Sequence, residues 1–204
     1  RRPPISTLFP STTLFRSMDR CPWCGSDPLY VRYHDEEWGV PVFDDRKQFE
    51  FLVLESMQAG LSWHIVLKKR ENFRKAFAGF DPEKVAAFDN AKMEELIQDA
   101  GIIRNRAKIL AAVNNAARFL EIQKEFGSFS AYLWSYVHHK PLINQFENLS
   151  QIPASTPLSD TISRDLKKRG FKFLGTTVIY AHLQATGLVN DHLTRCFRWN
   201  ELTG

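Results

Sequence analysis

LKKRGFKFLGTT, residues 166–177, is the stretch that decides how the chain folds. Two glycines five apart, Gly170 and Gly175, bracket a short apolar turn. A run opening at Ser159 ends before it in Lys167-Lys168-Arg169, cations where a helix C-terminus attracts them. After it, Thr176 opens a second helix that closes at Gly187. The β-branched run 176–179 has strand propensity, but Gly175 in front and AHLQA (181–185) behind favour helix. The segment therefore reads as helix, hairpin, helix. Free N–H groups at the second helix start, with Lys167, Lys168, Arg169 and Lys172 beside them, can hold a phosphate without reading sequence. The helix dipole favours the same cations, so the hairpin by itself leaves nucleic-acid binding open.

Outward from the hairpin the apolar period stays near 3.6. Asp45 and Gln48 form a capping-box pair ahead of Phe49, Leu52, Val53 and Met57, and Gly60 stops that run. Ser62 caps a helix through Trp63, Val66, Leu67, Phe73 and Phe77, and Asp81-Pro82 starts another where proline loses no helical N–H. A short helix over 93–100 precedes a long one from about Arg106 to Phe126. Ser128 or Ser130 caps an aromatic segment to Val137, and residues 141–158 read as a long connection with little pattern. The expectation is an all-α bundle of eight or so helices without a convincing strand.

Composition excludes several classes. The 204 residues are 44% hydrophobic and 25% charged, ordinary for a globular chain and wrong for a disordered, collagen-like or disulfide-stapled one. The greasiest stretch, 174–183, is too short for a bilayer and contains Thr, Tyr and His, so no membrane partner is expected. Charge is +4, but Arg1, Arg2 and Arg16 lie in the acid-free residues 1–17, leaving 24 basic against 23 acidic residues from Met18 onward. Net charge is thus weak evidence for nucleic acid. RRPPISTLFPSTTLFRS (1–17) reads as a disordered or non-native extension, with Met18 the original start and 18–204 the working domain. Three cysteines without a clear secretory signal point to a reducing cytosol.

Cys21, Cys24 and His34 lie near one end of the chain and His192-x3-Cys196 near the other. A His and a Cys four apart on a helix or turn face one side, as a shared metal requires. Four ligands among these five residues would make a tetrahedral zinc site pinning both ends together. Cys21-x2-Cys24 looks like half of a zinc knuckle; a lone pair of this spacing also suits a redox pair or ordinary thiols, although Pro22-Trp23 does not by itself lower a thiol pKa. Elsewhere, Tyr30, Tyr33 and Trp38 crowd a short stretch, and Trp63 follows Glu55 by eight residues. Such rings stack on planar ligands, nucleobases included, while a carboxylate reads polar edges. Glu55 sits among Leu52, Val53, Leu54 and Met57; facing inward it needs a partner, and facing outward it is an ordinary solvated acid.

DPLYVRYHDEEWGVP (27–41), LESMQAGLSW (54–63), VLKKRENFRKAF (66–77), GIIRNRAKI (101–109), LWSYV (133–137), the hairpin, and GLVNDH (187–192) together resemble the DNA-3-methyladenine glycosylase I family from Met18 to Cys196. The resemblance implies a compact helical bundle of the helix-hairpin-helix glycosylases, active in base excision repair. It also implies one structural zinc per chain on Cys21, His34, His192 and Cys196, joining the terminal segments, with Cys24 an extra thiol beside them. By the same likeness Glu55 is the base-reading carboxylate, Tyr33 its hydrogen-bonding partner and Trp63 the stacking face, with Trp23, Tyr30 and Trp38 lining or supporting the pocket. Asp191 lies where related glycosylases place a catalytic Asp, though it could instead orient a zinc ligand. Lys168, Gly170, Lys172, Gly175 and Thr176 would hold the DNA backbone. The implied partners are double-stranded DNA containing alkylated adenine and free 3-methyladenine as product, for a monomer in the bacterial cytosol. A non-catalytic, zinc-stapled DNA-binding protein is the alternative.

Overall fold

A computed structural model describes residues 19–58 and 60–203; the expected extension 1–17 and start at Met18 lie outside the described residues. The chain runs through α1 (Pro28–Glu36), α2 (Asp45–Gln58), α3 (Trp63–Ala76), α4 (Pro82–Ala86), α5 (Asn90–Gln98), α6 (Arg106–Phe126) and α7 (Phe129–Ser135). Strand β1 (Leu142–Ile143), α8 (Pro157–Lys168), α9 (Thr176–Ala185), strand β2 (Val189–Asn190) and α10 (Phe197–Thr203) follow. The all-α class holds, with two additions to the expectation: α1 and α10 are helices, and β1 and β2 form a two-residue parallel pair. Leu142 and Asn144 donate to the Leu188 and Asn190 carbonyls. This pairing anchors the start of the connection at 141–158 to the segment that follows α9.

Helix α2 is the axis of the bundle. Every residue from Gln48 to Met57 is buried, because α3, α6, α7 and α9 pack around it. Phe49 meets Phe119 of α6 edge-on at 5.2 Å, and Phe119 stacks on Phe129 of α7 at 4.2 Å. All three rings are fully buried, and truncating one to alanine in such a core costs about 3–5 kcal/mol.

Local signals explain most of the helix ends. Asp81 accepts from the Glu83 and Lys84 N–H groups ahead of Pro82, as the Asp-Pro signal requires, and Ser128 caps α7. Two caps differ from the sequence reading. Asp44, not Asp45, accepts from the Lys47 N–H at 2.8 Å, while Asp45 reaches across to the Phe129 and Ser130 N–H groups, both at 2.8 Å. Asp45 thereby caps a helix over eighty residues away. Thr156 opens α8 with Pro157 at its first position, and Ser159 closes that capping box. The hairpin between α8 and α9 is clamped to α6: Asn115 exchanges two 2.8 Å hydrogen bonds with the Lys172 backbone, and Asn114 donates to the Gly170 carbonyl at 2.9 Å.

Candidate active site and metal centre

The two ends of the chain meet at a buried cluster. Ligand atoms of Cys21, His34, His192 and Cys196 all lie within 4.8 Å of one another. His192 Nδ1 is 3.5 Å from both the Cys21 and Cys196 sulfurs, and His34 Nε2 is 3.5 Å from Cys196 Sγ. A tetrahedral ion with metal–sulfur bonds of about 2.3 Å and metal–nitrogen bonds of about 2.0–2.1 Å has sulfur-to-nitrogen edges of about 3.6 Å. The donor set fits such an ion. The remaining ring nitrogens are fixed by partners: His34 Nδ1 lies 2.8 Å from Asp35, itself gripped by Arg20, and His192 Nε2 donates to the Trp38 carbonyl at 2.9 Å. These bonds leave His34 Nε2 and His192 Nδ1 as the lone pairs facing the ion. Cys24 stands outside this set, its thiol directed at the Cys21 carbonyl at 3.2 Å.

Motif glycines let these segments close on one another. A Cβ on Gly39 would lie 3.0 Å from the His192 ring, and one on Gly187 would lie 2.4 Å from the Val40 carbonyl carbon. The backbone at both positions is also left-handed, φ +79° and +70°.

The cluster backs onto a cavity of about 330 Å³, within the usual range for small-molecule sites. Trp23 and Trp38 form the shared wall, 5.0 Å apart; Trp23 packs on His34 at 5.3 Å and Trp38 on His192 at 4.6 Å. Tyr30 and Tyr33 from α1, Trp63 from α3 and Glu55 from α2 complete the set expected from the sequence, and all six line the cavity. Tyr33 and Trp63 stand 5.5 Å apart. Helix α1 thus supplies a metal-cluster histidine and two cavity rings from consecutive turns.

Glu55 faces inward. It is 4% exposed, has no hydrogen-bond partner among the described residues, and burial pushes its pKa up to about 8. The Tyr33 hydroxyl also has no hydrogen-bond partner among the described residues, so no hydrogen bond joins the two. Burial, with the Glu55 charge adding to it, raises the Tyr33 pKa well above its ordinary value. The indole N–H groups of Trp23 and Trp63 are likewise buried and unpartnered. Such groups lower their free energy by meeting a ligand.

Asp191 is fully buried and accepts from Asn144 at 2.6 Å, Gln184 at 2.8 Å and the Tyr180 hydroxyl. It does not line the cavity; Gln184 does. Gln58, Gln184, Ala181, Leu149 and Ile152 are cavity residues absent from the sequence reading. The AHLQA spacing offered a signal for two of them, since Ala181 and Gln184 fall on one helix face. Leu149 and Ile152 come from the 141–158 connection, where no periodicity marks a wall.

At the hairpin, Lys168, Gly170, Lys172 and Gly175 are exposed, and Arg169 is engaged with Glu125 and Asp165. The Thr176 hydroxyl bonds Asp160 and Ser159, leaving its backbone N–H among the helix-start donors that have no intrahelical acceptor. From Thr176 to Gln184 is eight residues of one helix, about 12 Å of axial rise.

The sequence pattern of the methyladenine glycosylase family matches residues 23–199. DNA-3-methyladenine glycosylase 1 of Escherichia coli K12 is 54% identical over 179 residues, 88% of this chain and 96% of the relative. A DNA-3-methyladenine glycosylase of Haemophilus influenzae is 49% identical over 87% of this chain and 96% of its own. A crystal structure of a 3-methyladenine DNA glycosylase I superposes with a TM-score of 0.85 at 53% identity, covering 88% of this chain and 98% of that one. With its bundle, its two-cysteine, two-histidine cluster and its cavity in place, the chain belongs to the methyladenine glycosylase family.

Proposed function

We propose that the aromatic cavity receives a 3-methyladenine nucleotide turned out of the DNA helix, and that Glu55 reads its charge and edge. As a member of its family the chain is a DNA glycosylase, an N-glycosyl hydrolase acting on 3-methyladenine in base excision repair without cutting the strand. The observation that carries the residue roles is Glu55: an acid buried among aromatic rings with no hydrogen-bond partner among the described residues.

Methylation at N3 puts a positive charge on adenine, weakens the glycosidic bond and lets the base leave neutral. Strong acid assistance is therefore unnecessary. Trp63 and the neighbouring rings stack on the cation. The Glu55 carboxyl gives up its proton as the cation enters and becomes the acceptor for its N–H groups, while the Tyr33 hydroxyl offers a second polar contact. Below pH of about 8 the cation displaces a proton from Glu55, so excision rises with pH toward that value. Water completes hydrolysis at C1′. No lysine among the described residues lines the cavity, in keeping with hydrolysis rather than strand cleavage through an amine.

Cys21, His34, His192 and Cys196 would hold one zinc ion, which supplies folding energy and, with four protein ligands, has no open position for substrate. Asp191 acts in this reading as a positioning group. Lys168, Lys172 and the Gly170, Gly175 and Thr176 backbone hold the DNA phosphates. The chain works as a monomer on double-stranded DNA, alongside DNA in the bacterial cytosol, releasing free 3-methyladenine. No helix among the described residues is long and apolar enough to cross a membrane. Release of that base from methylated DNA tests the activity; retention of the base by a folded, zinc-loaded protein would return the chain to the non-catalytic DNA-binding reading.

A further inference from the structure

Asn114 and Asn115 stand in the middle of α6, a 21-residue helix whose other buried positions are mostly Ala, Ile and Phe. Asparagine is disfavoured in a helix interior, because its short amide competes for nearby backbone groups. Here the amides have backbone partners in a distant segment. Asn115 is 3% exposed; its Oδ1 accepts from the Lys172 N–H and its Nδ2 donates to the Lys172 carbonyl, both at 2.8 Å. One planar group thus satisfies both backbone groups of a hairpin residue, as a neighbouring strand would. The Lys172 side chain stays exposed. The next residue explains why the turn needs a hold. Phe173 is left-handed, φ +58°, a conformation that a residue with a Cβ adopts only at a cost. Its side chain is exposed, so packing does little to fix it. Its two neighbours are pinned instead: Lys172 by Asn115, and Leu174 by the Ser163 hydroxyl, which donates to the Leu174 carbonyl at 2.7 Å. Backbone strain that the surroundings hold in place is a mark of functional turns.

We propose that Asn115 is a positioning residue for DNA: gripping the Lys172 backbone from α6, it holds the hairpin turn, before DNA arrives, in the shape that presents Lys172 to a phosphate. The inference rests on the reading of the hairpin as a contact to the DNA backbone. Asn115 touches no phosphate itself. A loop already in its bound shape loses less freedom when the partner docks, and the affinity saved in this way depends on what holds the loop. The hairpin supplies the charge, and α6 supplies the shape.

The test titrates an undamaged duplex and, separately, free 3-methyladenine into wild type, Asn115→Leu, Lys172→Ala and the double variant, with melting temperature and bound zinc measured alongside. Leucine keeps the size of asparagine and removes both hydrogen bonds. Asn115→Leu is expected to bind the duplex about tenfold more weakly, with base affinity and zinc at the wild-type level. Because Asn115 acts through Lys172, the double variant is expected to bind the duplex no more weakly than Asn115→Leu, a non-additivity that general destabilisation does not produce. Should Asn115→Leu fail to fold, hydrogen exchange of the wild type decides. A Lys172 N–H protected in the free protein, and equally protected with duplex bound, supports a turn shaped in advance; one that exchanges like an open loop until DNA binds overturns it. Duplex affinity unchanged by Lys172→Ala overturns the hairpin reading itself. With Lys172→Ala weakened, an Asn115→Leu protein that holds the duplex as tightly as wild type, loses base and duplex affinity alike, or adds its full effect to that of Lys172→Ala overturns this inference alone.

Discussion

The metal cluster and the base cavity share the Trp23–Trp38 wall, yet treat their polar atoms in opposite ways. In the cluster each histidine has its second nitrogen tied, to Asp35 or to the Trp38 carbonyl. In the cavity the indole N–H groups of Trp23 and Trp63 are buried without a hydrogen-bond partner, and among the described residues the buried side chains of Glu55 and Tyr33 have none either. The first pattern is that of a staple, fixed in one geometry; the second is that of a receptor, left incomplete until a ligand arrives. A protein satisfies polar groups where structure is required and leaves them unsatisfied where function is.

The sharpest way to break the comparison is to remove the staple. Zinc is expected at one atom per chain, and His192→Ala should cost more stability than any single cavity substitution, since structural metal binding is folding energy of order 10 kcal/mol in small zinc domains. Metal analysis with thermal melting checks this; a His192→Ala protein that melts like wild type would turn the staple into ordinary packing. Next is Trp63→Ala, which should weaken 3-methyladenine binding by about 1–3 kcal/mol through lost stacking while leaving bound zinc intact. Equilibrium titration with parallel metal analysis separates the two regions, and zinc lost along with stacking would mean that they are not distinct.

The cost of leaving Glu55 incomplete has a pH signature. Its pKa is about 8 in the folded chain against an ordinary 4.5. Between those values the folded protein keeps a proton that the unfolded chain has lost, so this contribution is intact below about 4.5 and fades as pH rises through 8. Glu55→Gln abolishes the fade. The variant should melt higher than wild type at pH 8–9, by an amount on the order of 1–3 kcal/mol, and the difference should close toward pH 5. Melting curves across that range would show a constant offset if Glu55 were instead solvated. The smallest effect belongs to the hairpin: Lys172→Ala should weaken DNA binding a few-fold, equally across unrelated duplexes, and reduce its salt slope by roughly one ion. Binding isotherms at several salt concentrations would contradict a backbone role if the loss followed one sequence.

The staple was legible in the sequence because His192 and Cys196 lie four residues apart, close enough for a turn to bring both to one ion, although only the resemblance to known glycosylases chose Cys21 over Cys24. The cavity was legible in its aromatic half, where Tyr30, Tyr33 and Trp38 cluster locally. Its other half is made by contacts between distant segments: Gln184 depends on Asp191, and Leu149 and Ile152 depend on how the 141–158 connection is tied back. Asp45 illustrates the same limit, because its carboxylate caps α7, a partner no local pattern reveals. Helix α1 carried the same Asp-Pro start signal at 27–28 that marks α4 at 81–82. In α1 that signal precedes a short run of nine residues with only Tyr33 and His34 buried, too few to show a helical period. A two-residue strand pair such as β1–β2 is too short to leave a periodic trace.

The central claim is that the unpartnered Glu55 carboxyl exists to meet the base. Titrating free 3-methyladenine into wild type and Glu55→Gln, both shown to be folded and zinc-loaded, tests it most directly. Glutamine keeps the size but removes the charge and substitutes a donor for one acceptor. At pH 9, above the Glu55 pKa of about 8, affinity is predicted to fall by more than about tenfold, the scale of a charge-assisted hydrogen bond, with undamaged duplex bound as before. Equal affinities for the base in the two proteins would contradict the account and return the aromatic cluster to a role in packing.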